Sequence, residues 1–353
     1  MSEPAEKRPD LRDLTPQGLQ DLLVGLGEKP FRARQVLRWL YKGGARAIAD
    51  MTDLAKPLRQ RLAAAANLTD LEPARVETAA DGTRKLLYEL DDGCRVEGVL
   101  IPEQDHHTLC VSSQVGCRMG CKFCRTGALG LTRDLRPAEI VGQVLAARRM
   151  VDEARPLTNL VFMGMGEPLD NLAGLRVALT HILGEHGLQM SQRKVTVSTV
   201  GLADRLAELG QSTPASLAVS VNAPDDALRS RLMPVNRRFS LAVLKAALLT
   251  YPLKPTRRIT LEYVLLGGVN DRPAQARQLA LWCRGLRCKV NLIPFNPHEG
   301  AGFNAPDEAD VLAFQEILLE NNLTALFRRS RGGQIGAACG QLAARAAAAE
   351  DSE

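Results

Sequence analysis

The stretch VGCRMGCKFCRTG, residues 115–127, holds three of the chain's eight cysteines, and the reading of the whole sequence turns on it. Cys117, Cys121 and Cys124 follow the spacing C-x3-C-x2-C, with no fourth cysteine close behind. A structural zinc ion wants four protein ligands, often from paired C-x2-C clusters. The nearest fourth candidates are His106, His107 and Cys110, all upstream and without a partner pair. A cubane iron–sulfur cluster closed by protein wants four thiolates. Three is the number required when one iron is left open for a substrate or cofactor. Spacing alone leaves a chance cluster and a zinc site as alternatives; the open cubane accounts best for the absent ligand.

From about residue 108 onward, short β-rich runs alternate with helical ones. The strands are LCVSSQ, LVFMG, VTVSTV, LAVSVN, ITLEYVLL and VNLIPFN. Helical periodicity follows each of them, as in AEIVGQVLAARRMVDE and AQARQLALWCRGL. This alternation implies parallel strands with right-handed crossovers. Six units close only part of a barrel, since a full eight-unit barrel takes ~250 residues. The expected fold is therefore α/β, a partial (β/α)6 barrel. Such folds keep their chemistry in loops after strands, and the cysteine loop follows the first strand while GMGEPLDN follows the second. Thr196 and Ser198 share one strand face, as do Ser220 and Asn222, and Thr260 and Glu262. Polar residues there suit a lumen that holds a ligand, or an outward solvated face; alternation does not choose between them.

Ahead of the barrel, residues 14–66 read as helices. TPQGLQDLLVGLG opens on a Thr cap with Pro at the first helical position and closes on Gly. KLLYEL-DDGC-RVEGVLI reads as a β-hairpin. Residues 28–61 carry nine Lys/Arg against three acids, so this segment alone holds +6 while the whole chain carries +5. With Phe31, Trp39 and Tyr41 interleaved, it suits a phosphate-gripping surface; a solvated helix face over core aromatics is the plainer reading. No apolar run approaches the roughly 20 residues of a membrane span, so no membrane partner is expected and the cytoplasm is the expected location. In a reducing compartment clustered cysteines suggest metal or redox chemistry.

The three-cysteine loop with Phe123 before its last cysteine resembles the radical S-adenosylmethionine (SAM) superfamily, and GMGEP, residues 164–168, resembles that superfamily's glycine-rich stretch. CVSSQVGC, MGMGEPLDN, NLIPFNP, GAACGQLA, FRARQVLRWLYKGG and MTDLAKPLR narrow the match to the RlmN family of RNA adenine C2-methyltransferases, over roughly residues 14–345. The resemblance implies one [4Fe-4S] cluster on Cys117, Cys121 and Cys124 whose open iron binds SAM. It implies SAM contacts from Gly166, Glu167, Ser198, Ser220, Val221, Asn222 and Asn296, although many relatives have His where this chain has Asn222. It assigns Cys339 as the methyl-carrying nucleophile, Cys110 as the thiol that resolves the adduct through a transient Cys110–Cys339 disulfide, and Glu97 as proton acceptor.

The implied partners are 23S rRNA before full ribosome assembly, tRNA, an electron donor such as flavodoxin, and a thiol reductant, with the protein a monomer. The implied division is a helical RNA-binding accessory domain (1–75), a β-hairpin linker (76–102), the radical SAM core with its catalytic C-terminal segment (103–340) and a disordered tail (341–353). The C8-methylating Cfr-type enzymes share the cysteines. Pro168, Pro294, Phe295 and FRARQVLRWLY fit the C2 enzymes better. A non-enzymatic zinc-bearing RNA-binding module is the alternative from another class. Cys94, Cys283 and Cys288 match no catalytic position.

Overall fold

The computed structural model describes residues 8–298, 300–328 and 331–343. Three helices come first, α1 (Pro16–Gly25), α2 (Arg32–Tyr41) and α3 (Lys56–Ala65). Thr15 caps α1, its hydroxyl accepting from the Gly18 amide at 3.1 Å. Leu19, Leu23, Val36, Leu37, Leu40, Leu58 and Leu62 are sealed from solvent and give these helices a common core.

Twelve strands follow: β1 (Pro73–Thr78), β2 (Arg84–Glu89), β3 (Arg95–Pro102), β4 (His107–Cys110), β5 (Gln114–Cys117), β6 (Gly130–Asp134), β7 (Leu157–Phe162), β8 (Val195–Thr199), β9 (Ser216–Ser220), β10 (Ile259–Leu265), β11 (Cys288–Pro294) and β12 (Ala325–Phe327). Ten form one sheet in the order β1-β2-β3-β4-β7-β8-β9-β10-β11-β12, and β5 pairs with β6 apart from it. Pairing is antiparallel from β1 to β4 and parallel from β4 through β12. The six expected parallel strands are all present, and β12 adds a seventh of only three residues. The expected hairpin is β2–β3; β1 extends it, and β3 joins it to the barrel sheet through β4.

Crossover helices bury the outer face of the parallel strands. They include α5 (Pro137–Arg149), α6 (Leu172–Leu183), α7 (Ala203–Ser212), α8 (Asp226–Leu232), α9 (Leu241–Leu249), α10 (Pro273–Cys283) and α11 (Glu308–Glu320), with the short α4 (Arg125–Ala128) ahead of them. Val195, Val197, Leu217, Val219, Leu261, Tyr263, Val290 and Leu292 fill this layer. The alternate residues, Ser198, Ser220 and Glu262 among them, line a cavity inside the curved sheet. Alternation alone left the direction of these polar residues open; the apolar phase is committed to the helices, so the polar phase faces inward.

The N-terminal helices are seated on α5 and α6. Asp13 accepts the Ala138 amide at 2.8 Å at the start of α5. His181 in α6 donates from Nε2 to the Leu14 carbonyl at 2.8 Å and stacks on Tyr41. Burial lowers the His181 pKa to about 4, so the ring is held neutral. Within the basic segment, Arg38 pairs with Asp53, Arg46 with Asp70 and Arg61 with Glu28. Lys29, Arg34, Lys42 and Lys56 make no ion pair among the described residues. Phe31 is exposed and Tyr41 buried, so the aromatics divide between surface and core. Among the described residues no helix is long and apolar enough to cross a membrane. Of the tail, 341–343 are described and 344–353 lie outside the described residues.

The β5–β6 pair that carries Cys117 depends on a glycine. Gly116 has φ +75, and a Cβ there would sit 2.0 Å from the Gly130 carbonyl oxygen. Gly130 has φ +73 with nothing within 4 Å. Gly130→Ala is therefore expected to cost only the left-handed backbone term, about 1 kcal/mol. Gly116→Ala should add a backbone clash and cost more than about 2 kcal/mol. Denaturant unfolding of the two variants measures the difference.

Candidate active site

The cysteine loop runs from the end of β5 to the start of α4. Cys117 is the last residue of β5, Cys121 lies in the connecting turn, and Cys124 caps α4. Cys117 and Cys121 are buried and Cys124 is partly buried. The loop is tied to two distant elements. The Lys122 amide donates to the Leu232 carbonyl at the end of α8 at 2.9 Å, and the Arg125 amide donates to the Gly340 carbonyl at 2.8 Å. Burial pushes the Cys117 thiol up to about 12, Cys121 well above its usual range and Cys124 upward. Thiols so placed stay protonated until metal charge favours the thiolate.

Among the described residues no three His, Cys, Asp or Glu side chains converge where a single metal ion could sit. A mononuclear zinc site requires that convergence. A cubane distributes its cysteine ligands over separate irons, and the donor set here, three thiols of one loop of which Cys121 and Cys124 line a cavity, fits that arrangement with one iron unclaimed by protein.

GMGEP crosses directly over the end of β4. Gly164 and Gly166 allow it: a Cβ at Gly164 would lie 2.7 Å from the Val111 carbonyl, and one at Gly166 2.6 Å from the Gln114 Cβ. Gly166 also has φ +100, where side chains are strained. The Met165 amide donates to the Ser112 hydroxyl at 2.8 Å, and the Glu167 amide to Gln114 Oε1 at 2.8 Å. Glu167 accepts from the Val200 amide at 2.8 Å and the Leu169 amide at 3.1 Å. Burial outweighs these bonds and raises its carboxyl pKa to about 7.

Of the residues expected to contact SAM, Gly166, Glu167, Ser198, Ser220 and Asn222 line one cavity together with Cys121, Cys124 and Cys339. Val221 directly follows β9, in the phase of the helix-facing Leu217 and Val219, and is fully buried outside the lining. Asn296 lies outside the lining, 3.8 Å from where a Gly333 Cβ would stand. Asn222 adopts φ +56, a left-handed conformation that asparagine tolerates well. Its Oδ1 accepts the Val264 amide at 2.8 Å, so this side chain bridges β9 to β10 as well as facing the cavity.

The C-terminal segment lies across the same opening. Thr126 donates its hydroxyl to the Leu342 carbonyl at 2.6 Å, and Gln341 donates to the Pro297 carbonyl at 3.2 Å. These bonds hold Cys339 at the cavity wall, where it is exposed to that space. Its thiol is pushed up to about 12, first by desolvation and then by the neighbouring Cys110, Cys124 and Glu262. Cys110, at the end of β4, is buried and likewise pushed up to about 12 by desolvation. Glu97 on β3 stands at the back of this segment. Its carboxylate accepts the Ala343 amide at 2.7 Å and lies 3.6 Å from Lys85 Nζ.

Two residues that sequence reasoning did not assign help build the site. Arg229 of α8 is fully buried and donates to the Val200, Ser220, Val221 and Phe239 carbonyls and to Asn236 Oδ1. It clamps the ends of β8 and β9 from below the cavity; an arginine inside a helix gives no sequence signal of that role. Glu262 was noted for its strand face and turns out to be a cavity-lining acid.

Comparison with known proteins accords with this geometry. Residues 9–68 match the ribosomal RNA large subunit methyltransferase N-terminal domain, and residues 111–280 match the radical SAM superfamily. The dual-specificity RNA methyltransferase RlmN of Anaeromyxobacter dehalogenans is 53% identical over 95% of this chain and 92% of its own. That of Geobacter sulfurreducens is 51% identical over 94% of this chain and 91% of its own. The crystal structure of a radical SAM methyltransferase from Sphaerobacter thermophilus is 45% identical with a TM-score of 0.90, covering 96% of this chain and all of that one. Likeness at this level, along nearly the full length of each protein, means that the chain belongs to the RlmN family of dual-specificity RNA methyltransferases.

Proposed function

We propose that the protein methylates C2 of adenine in RNA. The substrates under this reading are an adenosine at the peptidyl-transferase centre of 23S rRNA, reached before the ribosome is fully assembled, and the adenosine 3′ of the anticodon in tRNA. The observation that carries it is the meeting, at one cavity, of Cys121 and Cys124 of the three-cysteine loop with Cys339, 215 residues further along the chain from Cys124. C2 lies between two ring nitrogens and is electron-poor, so it does not attack a sulfonium methyl as an amine does. Cys117, Cys121 and Cys124 would hold a [4Fe-4S] cluster and the residues after β7, β8 and β9 would hold SAM, a pair that when bound would supply a 5′-deoxyadenosyl radical.

Cys339, as a thiolate, takes a methyl group from one SAM by displacement. Loss of a hydrogen from that S-methyl group leaves a carbon radical that adds to C2 and tethers the RNA to Cys339. The adduct would then lose the C2 proton, with Glu97 as its candidate acceptor, and one electron, which would return to the [4Fe-4S] cluster. Cys110, as a thiolate, then attacks the Cys339 sulfur and breaks its bond to the bridging carbon, which takes up a proton to become the methyl group of the released RNA; the resulting disulfide is reduced by an external thiol. Cys110 suits the resolving role because it lies close enough to Cys339 to help raise that thiol's pKa. Glu97 accepts the Ala343 amide on one oxygen and keeps the other, 3.6 Å from Lys85 Nζ, for the proton.

The cationic face of 28–61, where Lys29, Arg34, Lys42, Lys56 and Arg59 make no ion pair among the described residues, suits RNA phosphate, and the helices before residue 75 serve as the accessory RNA-binding domain in this reading. A monomer, a flavodoxin-type electron donor and a cytoplasmic setting complete it.

Two outcomes are expected. Cys110→Ala should accumulate protein covalently linked to RNA, seen as a nuclease-sensitive gel shift, with turnover reduced by at least about 100-fold. Continued turnover without adduct would rule out the two-cysteine route. Mass-spectrometric mapping of RNA modified by the wild-type protein should find 2-methyladenosine; an 8-methyl product would assign the chain to the C8 chemistry instead.

A further inference from the structure

Across the middle of the barrel wall, Ser220, Glu262 and Asn291 are register partners on the neighbouring strands β9, β10 and β11. In a parallel sheet such partners point to the same side, and Ser220 and Glu262 both line the cavity. Glu262 and Asn291 are each only 5% exposed. One carboxylate oxygen, Oε1, accepts from Asn291 Nδ2 at 3.0 Å. No hydrogen bond among the described residues reaches its other oxygen. Asn291 Oδ1 is buried without any hydrogen-bond partner. Two acceptors thus stand side by side, unsatisfied, on a wall where a packed barrel would place branched aliphatics. Leaving such groups unpaired is costly, and the cost is offset if a ligand brings N–H donors to them.

The surroundings narrow the ligand. Val264 and Ile293 lie one layer above on the same face, giving a flat apolar flank that suits a base edge. Cys339 lies within electrostatic reach of Glu262. Resting on the function proposed above, both reactants carry an adenosine, whose exocyclic amino group offers two N–H donors and no acceptor. We infer that Glu262, backed by Asn291, is an adenine-recognition residue that accepts the exocyclic amino group of an adenosine bound in the cavity. The adenosine belongs either to SAM or to the RNA target, and the recognition chemistry is the same for both.

The test is a binding cycle on cluster-reconstituted protein, read by equilibrium affinity rather than turnover. One arm compares S-adenosylhomocysteine with S-inosylhomocysteine, in which a carbonyl replaces the amino group. The other compares an RNA hairpin carrying adenosine at the target position with the same hairpin carrying inosine. Wild-type protein is expected to prefer adenine by about tenfold or more in one arm, the worth of a hydrogen bond to a charged group. Glu262→Gln keeps an oxygen for Asn291 and turns a donor toward the ligand, so that preference should vanish or invert in the same arm. The arm that responds identifies the source.

Equal preference in wild type and variant in both arms would overturn the inference while leaving the functional reading intact. Wild-type protein that binds neither member of either pair would overturn the functional reading and this inference together. Unfolding midpoints of the two proteins within about 2 °C confirm that fold loss is not the cause.

Discussion

Two hydrogen bonds close this molecule: from the Arg125 amide to the Gly340 carbonyl and from the Thr126 hydroxyl to the Leu342 carbonyl. They join the first turn after the cysteine loop to a segment 216 residues away. Everything distinctive about the site depends on that stitch. Without it Cys339 has no defined position, and Glu97 loses the Ala343 amide that now engages its carboxylate. The strap is held only by hydrogen bonds and a few apolar contacts such as Leu342, with no strand pairing in 331–343. Segments held this way open at lower cost than the barrel core. In the mechanism proposed above, the strap delivers a methyl carrier, retains an RNA adduct and then meets a second thiol, and such a strap needs that balance between order and release.

The barrel beneath is the rigid partner. Its outer residues are committed to the helices, which frees the inner face for polar groups. The GMGEP crossing fixes Glu167 through backbone amides on both oxygens, and Arg229 locks the β8 and β9 ends through carbonyls. Glu167, its carboxyl raised to about 7, lines the cavity, and the Arg229 guanidinium beneath it bonds no carboxylate among the described residues. Site chemistry and fold specification are therefore borne by different phases of the same strands.

Much of this was legible in the sequence. The six parallel strands declared themselves through alternation with helical runs, and the cysteine loop through spacing alone. The inward direction of Ser198, Ser220 and Glu262 was not legible, because a period of two defines two faces without saying which is inside. β12 is too short for any periodicity, and β6 is hidden in a polar run, GLTRD, whose pairing depends on Gly116. The nearness of Cys339 to Cys110 and Cys124 is a tertiary fact that no spacing encodes; only resemblance to a family pointed to it. Val221 and Asn296 show the converse. Resemblance named them with the cavity residues, while strand phase turns Val221 toward the helices and the loop after β11 keeps Asn296 beside the strap.

The proposed function requires that Cys117, Cys121 and Cys124 hold a cluster able to bind SAM and cleave it. Protein reconstituted anaerobically with iron and sulfide, then given dithionite, SAM and an RNA substrate, tests it by chromatographic detection of 5′-deoxyadenosine. The account predicts its formation in wild-type protein and its loss in Cys121→Ala. Wild-type protein that holds a full complement of iron and sulfide yet releases none would contradict it.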